Sequence, residues 1–81
     1  MKEGYYSVYT RQDCIFCTKA LKLLNEKKKE YVVVECEEGS KSLTKVQDRY
    51  SWRTVPIIFH IRDGEKFFIG GYDQLQELIG Q

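Results

Sequence analysis

Two cysteines three positions apart, Cys14 and Cys17, are the residues of this chain most suited to chemistry. They close the stretch Thr10-Arg11-Gln12-Asp13-Cys14-Ile15-Phe16-Cys17, which follows a strand-like run and opens a helix-like one. A Cys-x-x-Cys pair at such a turn, with no second pair at zinc-like spacing, reads as a redox couple. Residues three apart on a helix share a face, with β-carbons roughly 5–6 Å apart. A disulfide spans nearly that distance. Asp13 reads as the N-cap, which sets Cys14 at the first helical position. Unpaired N–H groups and the positive end of the helix dipole favour a thiolate there. The thiolate is the attacking form of cysteine. Cys17 lies one turn deeper and is expected to be shielded. Cys14 is therefore the expected attacker and Cys17 the resolver. The charge of Asp13 opposes the thiolate, whereas Arg11 and Lys19 support it.

The elements that must position this pair follow from periodicity. Residues 5–10 read as a strand with apolar residues on both faces, which suits an inner strand. Cys17, Ala20, Leu21 and Leu24 recur at helical spacing, fading into Lys27-Lys28-Lys29. Tyr31 to Glu35 is a second strand, closing a right-handed parallel strand–helix–strand unit. Glu37-Glu38-Gly39-Ser40 is a turn, and Ser40 caps a helix over 41–51 carrying Leu43, Val46 and Tyr50. Ile57 to Ile61 is a third strand, and Asp63-Gly64 signals a hairpin. Lys66 to Ile69 is the fourth strand. Gly70-Gly71 breaks it, and Leu75, Leu78 and Ile79 form the inner face of a short last helix. The order is β-α-β-α-β-β-α. Trp52, Phe67 and Phe68 are expected in the core or at its edge. Cys36 is expected to be a half-buried strand-end residue, and His60 to be structural or solvent-facing.

The whole chain bounds the function. Its 81 residues suit one domain, 1–81, with a small core. At 42% hydrophobic it can fold as a globule. Thirteen basic and twelve acidic residues leave a net charge of +1, so no global field draws nucleic acid or anionic membrane. No apolar run is long enough to span a bilayer. Met1-Lys2-Glu3-Gly4 lacks a signal-type apolar segment. Three cysteines are an odd count for a secreted disulfide scaffold. An intracellular, cytoplasmic location with reduced thiols is expected.

Three separated signals occur in order: Cys14-Ile15-Phe16-Cys17, Thr54-Val55-Pro56 and Gly70-Gly71-Tyr72-Asp73. With them the chain resembles a dithiol glutaredoxin of the thioredoxin-fold superfamily over almost its whole length. The resemblance implies an α/β, thioredoxin-like fold: a four-stranded mixed sheet in strand order 2-1-3-4, flanked by three helices. It departs from the family pattern at Ile15, where proline is usual, at Phe16, where tyrosine is usual, and at Gln74, where many members have a second aspartate. Residues between the cysteines tune thiolate stability, so an unusual reduction potential is expected.

The resemblance also implies the activity. A glutathione-dependent dithiol–disulfide oxidoreductase would reduce protein disulfides and glutathione mixed disulfides through Cys14 and Cys17. Glutathione is the co-substrate, with no tightly bound cofactor and no metal. Thr54, Val55 and Pro56 would meet the glutathione backbone, with Val55-Pro56 cis. Gly70 and Gly71 allow close approach. The N–H groups of Tyr72 to Gln74 open a helix and suit the γ-glutamyl carboxylate. Asp73 would take the glutamyl ammonium, or serve as an ordinary N-cap. Arg11 would meet the glycyl carboxylate, and Phe16 would form an apolar wall. Lys41 and Gln47 are second-helix candidates for a further contact. Expected partners are disulfide-bearing or glutathionylated proteins, with ribonucleotide reductase and a peroxidase among the candidates. A monomer without nucleic-acid or membrane partners is expected. Three alternatives stand beside this. One is a glutaredoxin-like protein reduced by thioredoxin reductase, which tends to lack Gly-Gly-x-Asp. Another is a [2Fe–2S] cluster held between two chains by the first cysteine and glutathione. The third is a zinc module adding Cys36 and His60.

Overall fold

A computed structural model describes residues 4–80. The reading of Met1, Lys2 and Glu3 falls outside them. The order is β1 (Tyr5–Thr10), α1 (Ile15–Glu26), β2 (Tyr31–Glu35), α2 (Lys41–Tyr50), β3 (Ile57–Arg62), β4 (Glu65–Gly70) and α3 (Tyr72–Ile79). The four strands form one sheet in the order β2-β1-β3-β4. β1 is parallel to β2 and antiparallel to β3, and β3 is antiparallel to β4. This is the thioredoxin-like arrangement that the family resemblance implies. Among the described residues, no helix is long and apolar enough to cross a membrane.

Strand alternation splits the core in two. Tyr6, Val8 and Ile58 face one side of the sheet, where they pack with Ala20, Leu23 and Leu24 of α1 and Leu75 of α3. Ile57 and Phe59 face the other side, with Cys36 and Leu43. Tyr50, Trp52 and Phe68 pack against that second cluster. Successive side chains of a strand point to opposite faces, so β3 supplies both cores at once. The inner strands β1 and β3 are buried on both faces, as the apolar pattern of 5–10 suggests. Ser40 caps α2 as expected, its hydroxyl accepting the Leu43 N–H at 3.3 Å. Asp63 and Gly64 both have positive φ in the β3–β4 turn, the backbone that an Asp-Gly hairpin supplies.

Two apolar residues are not where periodicity puts them. Leu78 is 57% exposed, whereas Leu75 is fully buried. The short α3 packs Leu75 and Ile79 against the core, and Leu78, at the edge of that face, stays mostly in solvent. Phe67 is exposed on β4. Period two lets only one of Phe67 and Phe68 face inward, and Phe68 takes that place. The ring of Phe67 instead lies under the Arg62 guanidinium, 5.0 Å away. Cys36 is buried, with its sulfur 3.6 Å from the Val34 carbonyl oxygen. His60 stacks on Tyr6 at 4.4 Å between ring centroids, a structural placement.

Candidate active site

β1 and β2 run in parallel toward the same end of the sheet, and the loop after β1 carries Cys14. Asp13 does not cap α1. It has φ +57°, and Cys14 itself is the N-cap, in extended conformation. Helical geometry starts at Ile15. A left-handed residue at Asp13 turns the chain sharply, which asparagine and aspartate tolerate better than most residues. The backbone N–H of Cys17 then donates to the Cys14 sulfur at 3.1 Å. A sulfur so placed takes one of the helix's unpaired donors, the role that serine or aspartate oxygen usually plays. Such a bond favours the thiolate when the pair is reduced.

Cys14 and Cys17 are joined in a disulfide, with Cα atoms 5.2 Å apart. Cys17 is 4% exposed, and Cys14 is half-buried. The two residues between them project outward: Ile15 is 71% and Phe16 52% exposed. The asymmetry matches an accessible first sulfur and a shielded second one.

The second wall of the site comes from the loop before β3. The Val55–Pro56 bond is cis. The Val55 carbonyl oxygen lies 3.7 Å from the Cys14 sulfur. A shallow groove of about 270 Å³ starts here, lined by Phe16, Trp52, Thr54, Val55, Pro56, Gly71, Tyr72, Asp73 and Gln74. Eight of these nine were singled out from the sequence, and the fold brings them together from three separate segments. Gly70, at φ +124°, makes the turn out of β4; a side chain there would be strained. α3 is capped at Gly71, so Asp73 is not its N-cap and sits in its first turn. Gln74 replaces a capping side chain: its Oε1 accepts the Gly71 N–H at 2.9 Å. Glutamine three residues after the cap is a known sequence signal for this, which the reading of Gln74 passed over. The Gly71 N–H is thereby taken, leaving those that follow.

Trp52, expected in the core or at its edge, packs against the second cluster and also lines the groove. Its backbone N–H donates to the Gln47 carbonyl at 2.9 Å, and its ring meets Phe68 edge-on at 5.5 Å. Its indole Nε1 is buried and has no hydrogen-bond partner. The signal was available two residues before Thr54, but aromatic residues are common in cores and nothing in the spacing separates the roles. Lys41 and Gln47 do not line the groove. Lys19 sets its ammonium over Phe16 and Tyr72, 5.3 and 6.0 Å from the ring centroids.

Arg11 lies apart from this groove. It borders Cys14 on the β2 side and pairs with Glu38 at 3.5 Å. The cleft around it is lined by Gln12, Asp13, Glu35, Cys36, Glu37 and Glu38. Among the described residues, no group of three or more His, Cys, Asp or Glu side chains is arranged to hold a metal ion.

A family model, described as glutaredoxin, matches residues 7–66. None of the curated proteins compared matches the chain. Solved structures share its fold. A wheat glutaredoxin aligns with TM-score 0.77 and 24% identity, over 94% of this chain and 71% of that one. The NrdH-redoxin of Escherichia coli, described as a glutaredoxin-like protein with a thioredoxin-like activity profile, aligns with TM-score 0.67 and 14% identity, over 94% and 91%. Glutaredoxin 1 of Francisella tularensis, complexed with cacodylate, aligns with TM-score 0.64 and 22% identity, over 95% and 98%.

Proposed function

The chain belongs to the glutaredoxin family, and on that premise we propose that it is a glutathione-dependent dithiol–disulfide oxidoreductase. One observation carries the reading: a groove that begins at the Val55 carbonyl, 3.7 Å from the Cys14 sulfur, and ends at the first turn of α3. Its Val55 backbone, apolar wall and helix opening suit a short peptide with an anionic end.

Glutathione offers a thiol, two carboxylates and an ammonium. The Val55 backbone pairs with its peptide groups, as in addition of a strand. Phe16, Tyr72 and Pro56 cover its apolar surface. The free N–H groups at the start of α3 receive the γ-glutamyl carboxylate. Asp73 accepts the ammonium, a charge-assisted bond. Thr54 and Gln74 border the same path.

The reaction is thiol–disulfide exchange. The Cys14 thiolate attacks the glutathione sulfur of a mixed disulfide. A Cys14–glutathione bond forms, and the substrate thiolate leaves and takes a proton from solvent. A second glutathione thiolate attacks the glutathione sulfur of that adduct, giving glutathione disulfide and restoring Cys14. With a protein disulfide, Cys14 forms a mixed disulfide with the protein. Cys17 then attacks Cys14, closing the Cys14–Cys17 bond and releasing the second protein thiol. Two glutathiones reopen that bond in sequence. The N–H of Cys17 on the Cys14 sulfur stabilises each departing Cys14 thiolate.

The test couples the protein to glutathione, glutathione reductase and NADPH, with a small glutathione mixed disulfide as substrate. Turnover that disappears in Cys14→Ser supports the reading. No turnover there, with protein-disulfide reduction driven by thioredoxin reductase, replaces it with the other glutaredoxin-like reading.

A further inference from the structure

We propose that Glu38 weakens how strongly this site takes glutathione, by pairing with the Arg11 guanidinium in competition with the substrate's glycyl carboxylate. The inference rests on the glutathione reading above and adds to it a side chain that competes with the substrate.

Arg11 lines the cleft beside Cys14 on the β2 side, and its surroundings are anionic. Asp13, Glu35, Glu37 and Glu38 line the same cleft. Glu38 is the one in contact, with its carboxylate 3.5 Å from the guanidinium. The contact is built by the backbone. The Cys36 N–H donates to the Thr10 carbonyl at 2.7 Å, tying the strand that leads to Glu38 against the residue before Arg11. The Ser40 N–H donates to the Glu37 carbonyl at 3.0 Å and closes the turn that carries Glu38. The Glu38 side chain itself is 84% exposed. Its carboxylate is therefore a tethered analogue of the group Arg11 would bind on glutathione. Both compete for one guanidinium fork.

An exposed ion pair of this kind is weak. Glu38 therefore tunes the site and does not block it. Glutathione must displace Glu38 and enter a cleft with three further carboxylates, so this end of the site is poor for an anionic ligand. A substrate without a free carboxylate at that position escapes the competition.

The experiment is steady-state turnover of a small glutathione mixed disulfide by the full chain, with glutathione reductase and NADPH. Glu38→Gln should lower KM by about two- to fivefold, with kcat moving less than KM. Rising salt should narrow the gap between the two proteins, because both charges face solvent. Two controls separate competition at Arg11 from a general loss of negative charge. In an Arg11→Gln background, Glu38→Gln should no longer lower KM. With the glycyl carboxylate of the substrate esterified, Glu38→Gln should leave KM in place. An unchanged KM in Glu38→Gln, or a fall that persists in either control, overturns the role of Glu38 and leaves the glutathione reading standing. A wild-type protein that turns over no glutathione substrate overturns both.

Discussion

The backbone N–H of Cys17 points at the sulfur of Cys14 from 3.1 Å, so the proposed nucleophile and the cap of its own helix are one residue. A serine at this position would satisfy the same donor while removing the thiol chemistry. Cys14→Ser should thus fold normally and lose all exchange. Cys17→Ser keeps the attacking sulfur and should still turn over glutathione mixed disulfides, while losing reduction of protein disulfides that needs closure of the pair. The coupled NADPH assay with each substrate checks this. Loss of mixed-disulfide turnover in Cys17→Ser would reverse the assignment.

Asp73 sits in the first turn of α3 and lines the groove without serving as its cap. Asp73→Asn should raise KM for a glutathione mixed disulfide about tenfold, the loss of one charge-assisted bond. A substrate whose glutathione lacks the glutamyl amine should show no difference between Asp73→Asn and wild type. An equal rise for both substrates would place the effect on folding of α3 instead.

Leu24 and Leu78 have the same side chain and opposite surroundings. Leu24 is fully buried between α1 and the sheet, whereas Leu78 is mostly exposed. Leu24→Ala should cost about 2–5 kcal/mol of stability. Leu78→Ala should stay within about 0.5 kcal/mol of wild type. Urea unfolding of the two variants measures both, and similar losses would mean that α3 packs by a different face.

Trp52 buries an indole N–H that has no acceptor. An unpaired buried donor costs about 1–3 kcal/mol. Trp52→Phe removes that donor and keeps an aromatic ring against Phe68. Its stability should match or exceed wild type, while Trp52→Ala should lose about 2 kcal/mol. A large loss in Trp52→Phe would mean that the indole nitrogen has a partner in solution.

The elements that were legible in the sequence are those where one physical signal dominates. Alternation and apolar runs placed the strands, and Ser40 and Asp63-Gly64 marked a cap and a hairpin. The residues that went astray are those where two signals compete. Asp13 and Cys14 both fit a helix start, and aspartate is the stronger capping type, yet its left-handed backbone gives the role to sulfur. Phe67 and Phe68 are equally apolar, so only the strand register decides which turns inward. Trp52 sits at the core edge as its type suggests, and its added place in the groove stays hidden because burial and groove lining demand the same chemistry. The partner of Arg11 was hidden for another reason: Glu38 sits on a loop 27 residues away in the chain, which no local spacing reveals.

Cys36 and Cys17 both keep their sulfur away from solvent. After gentle reduction, native protein thus offers electrophiles one reachable thiol of three. Mass spectrometry after brief alkylation would count Cys14 alone, and a dye or spin label attached there would report on the working end of the molecule without mutating the other two cysteines.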